Sequence, residues 1–245
     1  MIIIRLPWEL KDWIDKGRLG RLARIHIEMP QDGFIRLDPS DRPIPPQPWR
    51  LADGEIPTLS LDLGVHLHHI ISFLSRERPL ELVATQSVHG AFRQVVDNTV
   101  CIARYSNDLE CHLWFSKAAL GYRNGLKVRV FGELGAAKWR QMTQESFLYC
   151  DNRGRESLID RAHVDAEVAS LPRYNRFKAG HPAGFLEALA NLYCDIADAL
   201  VSGKQNGGYA SEYVRDASHA VEGLVMLEAM TRSARTHGRV DIESA

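Results

Sequence analysis

Thr99-Val-Cys-Ile-Ala-Arg-Tyr105, the turn signal Asn107-Asp108 and Glu110-Cys-His-Leu-Trp-Phe115 decide the fold class of this chain. Each run has a pattern of period two, as in a strand with one face in a core and the other in solvent. The short Asn-Asp connection makes them neighbours in one sheet. Working outward, the same period returns at Leu80 to Val88, Leu126 to Phe131, Ala136 to Arg140 and Phe147 to Cys150, with turn signals at Asn124-Gly125 and Gly132 to Gly135. Upstream, Leu22 to Met29 alternates so that Ala23, Ile25, Ile27 and Met29 share the side expected to face a core. Strand after strand on short connections predicts a largely antiparallel sheet. Helical patterns lie at the ends. Trp8 to Lys16 stops at Gly17, Pro182 to Val201 carries Phe185, Leu189, Leu192, Ile196 and Leu200, and Ser218 to Arg235 carries Ala220, Leu224, Leu227 and Met230. The expectation is an α+β fold, a large mostly antiparallel sheet with helices on one face and an open face available for oligomerisation, as one domain over residues 1–245. Asp151 to Lys178 is charged and reads as irregular.

Composition narrows the partners. The 245 residues are 45% apolar and 25% charged, with 30 basic against 31 acidic side chains mixed along the chain, so neither nucleic acid nor an anionic membrane is an expected partner. Cys101, Cys111, Cys150 and Cys194 form no Cys-x-x-Cys pair and read as buried thiols in a reducing cytosol. The apolar start Met-Ile-Ile-Ile is cut short by Arg5 and Pro7, and no run of 18 apolar residues follows, so a cytoplasmic location is expected.

Pro30 to Pro57 holds seven prolines and the pair Trp49-Arg50, and reads as a functional loop or arm. It leads into Leu61-Asp-Leu-Gly-Val-His-Leu67, within a helical pattern from Leu61 to Leu74 that closes at Arg76 to Pro79. Asp62 and His66 stand at i and i+4, on one helical face, where a carboxylate raises the imidazole pKa and orients a general base. His69, at i+3 from His66, reaches the same face. The plainer reading is a capping Asp and a core His, since this spacing arises often by chance. As metal ligands, Asp62, His66 and His69 give three donors with no clear fourth, and His68 diverges by about 100° from each helical neighbour, so no metal is expected. No Gly-x-Gly-x-x-Gly turn exists anywhere in the chain. Gly180-His-Pro-Ala-Gly184 opens a helix, and His181 there can meet a ligand at its positive end, or simply mark a helix start.

Several segments in this order resemble the glucose–fructose oxidoreductase / inositol dehydrogenase / rhizopine-catabolism (Gfo/Idh/MocA) family. They are Asp15 to Leu22, Trp49-Arg50, Leu61 to Leu67, Gly121-Tyr-Arg-Asn-Gly-Leu126, Val130-Phe-Gly-Glu-Leu-Gly135, Gly180-His-Pro-Ala-Gly-Phe185 and Glu222-Gly-Leu through Ser233. The resemblance implies an N-terminal Rossmann domain for NAD or NADP, joined to an α+β domain whose sheet mediates oligomerisation. It implies that His66 is the base on a substrate hydroxyl during hydride transfer and Asp62 helps bind or orient that substrate, a sugar or polyol. His69, His181, Trp49 and Arg50 are the accompanying substrate-binding candidates. The family's Glu-Lys-Pro lysine motif and nucleotide fingerprint have no match here, so this chain is expected to need a Rossmann domain in trans or in a longer parent. NAD or NADP is not expected to bind this chain alone, and a homo-oligomer is expected. The alternative is a non-catalytic dimeric carbohydrate-binding or scaffold subunit.

Overall fold

Nine strands join in one sheet in the computed structural model, which describes residues 5–181, 183–207, 211 and 213–243. In chain order they are β1 (Leu22–Pro30), β2 (Pro79–Ser87), β3 (Asn98–Tyr105), β4 (Glu110–Ser116), β5 (Lys127–Gly132), β6 (Gly135–Arg140), β7 (Ser146–Asp151), β8 (Glu156–Asp160) and β9 (Val240–Asp241). The spatial order is β8-β7-β6-β5-β1-β4-β3-β2-β9. All neighbours are antiparallel except β1 and β4, which run parallel at the centre. Among the described residues the four α-helices are α1 (Arg5–Asp15), α2 (Val65–Ser75), α3 (Phe185–Asn206) and α4 (Ala217–Thr236). Pro182, expected to start the third, lies outside the described residues, as does the apolar start before Arg5.

The alternation in sequence becomes the two faces of the sheet. On β3, Cys101, Ala103 and Tyr105 are buried while Val100, Ile102 and Arg104 point to solvent, and cross-strand pairing repeats the division, with Ala103 beside Leu82 and Ile102 beside Val83. Leu6, Leu10 and Trp13 of α1, Leu67 and Ile71 of α2, and Met226, Leu227 and Met230 of α4 cover the buried face in one core with Ile25, Ile27, Leu113 and Phe115. Ala23, expected on that face, is exposed, while Ile25, Ile27 and Met29 hold it. The opposite face leaves Leu80, Val83, Val100, Ile102, Phe131 and Leu158 open.

Three expectations are corrected. The buried stripe of α4 is Gly223, Met226, Leu227 and Met230, whereas Ala220 and Leu224 face outward. On α3 the stripe is Ala188, Asn191, Asp195 and Ala199, while Phe185 and Leu200 are exposed. Arg173 donates to both Asp195 oxygens at 2.8 and 3.0 Å, and Arg176 to Asn191 at 2.7 Å, so this helix is docked by polar bonds to the preceding loop. Of the cysteines only Cys101 and Cys111 are buried, their thiols held protonated by burial, while Cys194 is exposed.

Candidate functional site

The proline-rich arm delivers its short 3₁₀ turn, Pro48–Leu51, against the start of the second helix. That start is a π-helical turn, Ser60–Gly64, running into α2, a widened geometry often found at functional sites. Gly64 is required by packing: a β-carbon there would sit 2.7 Å from Cδ2 of Leu227 and 3.2 Å from Cζ of Phe115. The turn aims Asp62 at two cations. Arg50 Nη1 and Lys117 Nζ each lie 2.5 Å from Oδ2 of Asp62. Lys117, just past β4, is 3% exposed and lies over the Phe34 ring of the arm. Arg50 stacks on Trp49, which is 53% exposed. Lys117 has no local sequence signal beyond a charge placed after the inward-facing Phe115 and Ser116, and sequence reasoning missed it.

His66, in the first turn of α2, lines a cavity of about 380 Å³ between α1, α2 and the sheet. Among the described residues no hydrogen bond or ion pair joins it to Asp62. Burial lowers the His66 pKa, and the opposing Asp62 charge does not reverse this, contrary to the rise expected from the carboxylate alone. The ring is therefore neutral at pH 7, the form that accepts a proton. Met29, Phe73, Leu126, Trp139 and Phe185 make an apolar wall, and Asn124 and Gln141 are its polar members. Oδ1 of Asn124 and Oε1 of Gln141 are buried acceptors with no hydrogen-bond partner among the described residues. Leaving such atoms unpaired costs about 1–3 kcal/mol each. A more polar cavity of about 440 Å³ adjoins, sharing Asn124 and Leu126 and bounded by Glu28, Arg123, Lys127 and Arg140.

The other candidates fall elsewhere. His69 points to α4, with Nδ1 3.2 Å from Nε2 of His219, and burial lowers its pKa to about 3. His181 is exposed in the loop before α3, where its carbonyl accepts from buried Arg161 at 2.6 Å; it does not line the His66 cavity. The glycine-rich cradle for a dinucleotide pyrophosphate is not found among the described residues. The parallel pair β1 and β4 lacks the glycine-rich turn into a helix that would cradle a pyrophosphate, since β1 runs into the proline-rich arm and β4 into the loop before β5. No helix among the described residues is long and apolar enough to cross a membrane.

Comparison with known proteins gives a consistent picture. The chain matches solved structures over nearly its whole length but spans less than two thirds of theirs. An oxidoreductase from Sinorhizobium meliloti is 25% identical with a TM-score of 0.77, over 98% of this chain and 62% of that one. An inositol dehydrogenase homolog from Azotobacter vinelandii, complexed with NAD+, is 23% identical with a TM-score of 0.85, over 97% and 62%. The same homolog complexed with NADH and myo-inositol gives 23% and 0.83, over 97% and 61%. No curated protein matches the sequence. A family model described as the GFO/IDH/MocA C-terminal domain matches residues 8–138. That span holds Asp62, His66 and six strands, β1 and the five that follow it, the last of them only in part, so the chain belongs to the GFO/IDH/MocA C-terminal domain family.

Proposed function

We propose that this chain is the substrate-binding and proton-accepting portion of an NAD(P)-dependent sugar or polyol dehydrogenase, working with a cofactor-binding domain that the described residues do not provide. The observation that carries the reading is the His66 cavity with its two orphaned acceptors. A polyol would lay C–H faces on Trp139 and Leu126, and rotation of the Asn124 and Gln141 amides would turn their buried, unpaired oxygens toward its hydroxyl protons. The neutral His66 ring would take the proton of the hydroxyl being oxidised, and the apolar wall would keep water from the reacting carbon. Asp62 holds the arm through Arg50 and pairs with Lys117 beyond β4, and Trp49 and Arg50, which do not line the cavity itself, would meet substrate only outside it. His69 and His181 act outside that cavity.

A second reading, a non-catalytic dimeric carbohydrate-binding or scaffold subunit, is favoured by one observation: the open apolar sheet face around Val83, Val100 and Ile102. Calorimetric titration with NADH and with myo-inositol separates the cases, run beside a sizing column. The proposal expects no NADH binding by the chain alone and polyol binding that His66→Gln weakens at least tenfold. NADH binding by the chain alone, or polyol binding indifferent to His66, would overturn it.

A further inference from the structure

Away from that cavity, the far side of α2 carries a second group of chemistry-bearing side chains. We propose that His68, His219 and Glu222 form a zinc site that ties α2 to α4. One ligand atom from each lies within 4.8 Å of the other two. His219 and Glu222 stand at i and i+3 on α4, so they project from one face, with His219 Nδ1 3.9 Å from Oε2 of Glu222. His68 comes from the facing helix and is 2% exposed, yet neither of its ring nitrogens has a hydrogen-bond partner among the described residues. A buried imidazole left wholly unpaired is rare, and this one has a nitrogen directed into the space shared with His219 and Glu222.

The surroundings are shaped for this ring. Gly223 lies against it, and a β-carbon there would come within 3.1 Å of His68 Cδ2. His69 Nδ1 engages Nε2 of His219 at 3.2 Å, leaving Nδ1 of His219 as the ligand and fixing the ring as outer partners of metal-bound histidines do. Two imidazoles and a carboxylate suit zinc, with water in the fourth position. At bonds of about 2.0 Å the ligand atoms of a tetrahedral ion stand about 3.3 Å apart. Small side-chain rotations of His219 and Glu222, both part-exposed, bring the three in. The set differs from the Asp62, His66 and His69 combination that sequence spacing suggests.

The test uses the full chain, stripped with chelator and titrated with zinc chloride by calorimetry and with cobalt chloride by absorption. One equivalent of zinc is expected. Affinity should fall about 100-fold in His68→Gln and in Glu222→Gln, and about tenfold in His69→Gln. His112→Gln, which alters the separate stacked His26–His112 pair on the open face, should change nothing. Wild-type cobalt spectra guard against unfolded variants: four-coordinate bands without thiolate charge transfer are expected. No stoichiometric binding, binding indifferent to His68 and Glu222, loss of binding in His112→Gln, or a thiolate band would each overturn the site.

Discussion

Removing Asp62 should leave Lys117 as a buried cation with no anion, and the penalty should largely vanish when both are removed together. The two atoms are 2.5 Å apart and the lysine side chain is 4% exposed. At an effective dielectric near 20, that separation gives about 7 kcal/mol of gross attraction, set against several kcal/mol for desolvating the ammonium. Asp62→Leu should therefore cost about 3–5 kcal/mol, the usual range for breaking a buried pair from one side. Lys117→Met should cost less, about 1–2 kcal/mol, because Asp62 keeps Arg50 and is part-exposed. The double variant should cost about 3 kcal/mol instead of the sum, a coupling near 2–3 kcal/mol. Urea unfolding at pH 7 with linear extrapolation measures all four proteins. Additivity within about 0.5 kcal/mol would refute the reasoning, because it would mean that the two charges do not depend on each other.

Gly64→Ala should lower stability by about 1–2 kcal/mol, since overpacking against Leu227 and Phe115 exceeds the helix propensity gained. Calorimetry should show Tm falling by about 3–6 °C, and an unchanged or higher Tm contradicts the close approach. Burial, with the neighbouring His112, lowers the His26 pKa, so folding favours the neutral ring. Its contribution is full above about pH 6.5 and is lost as pH falls below that value toward the lower folded pKa. The urea midpoint of the wild type should thus drop more steeply than that of His26→Gln between pH 7.5 and pH 5; parallel curves would rule this out. Arg173→Met should free α3 from Asp195, with proteolysis cutting that helix faster than in the wild type while the β-sheet core stays intact. Equal cleavage rates would show that the helix is held by something else.

Much of the sheet is legible in the sequence because one face is solvated, and solvation imposes the period of two. The six strands from Leu80 to Cys150 and the one from Leu22 emerge within a residue or two of their ends. The strand at Glu156–Asp160 does not, because it is an edge strand in which only Ile159 is buried, so nothing selects alternation. The parallel pairing of β1 with β4 is also hidden, since it joins residues such as Ile25 and Cys111 that are remote in the chain. On α3 the large apolar residues suggest one face, but packing uses Ala188 and Ala199 with Asn191 and Asp195, and hydrophobic spacing cannot foresee a helix docked by arginines.

The site divides in the same way. Asp62 and His66 are visible as a spacing, and Arg50 as a neighbour of the arm, but the spacing does not reveal that Asp62 turns to Arg50 and Lys117 instead of to His66. Period counting assumes a uniform helix, and Ser60–Gly64 is a π turn whose wider winding no apolar pattern distinguishes from an α-helical one. His219 lies 150 residues from His69, so only the packing of α4 on α2 brings the two rings together.

The most direct test of the proposed role is nuclear magnetic resonance of the full chain during titration with myo-inositol, following the side-chain amides of Asn124 and Gln141 and the ring of His66. The account predicts that these three shift together and saturate at one equivalent, while the ring of His181 stays still. Saturable shifts confined to other parts of the surface, or no shift across a panel of polyols and sugars, would contradict it.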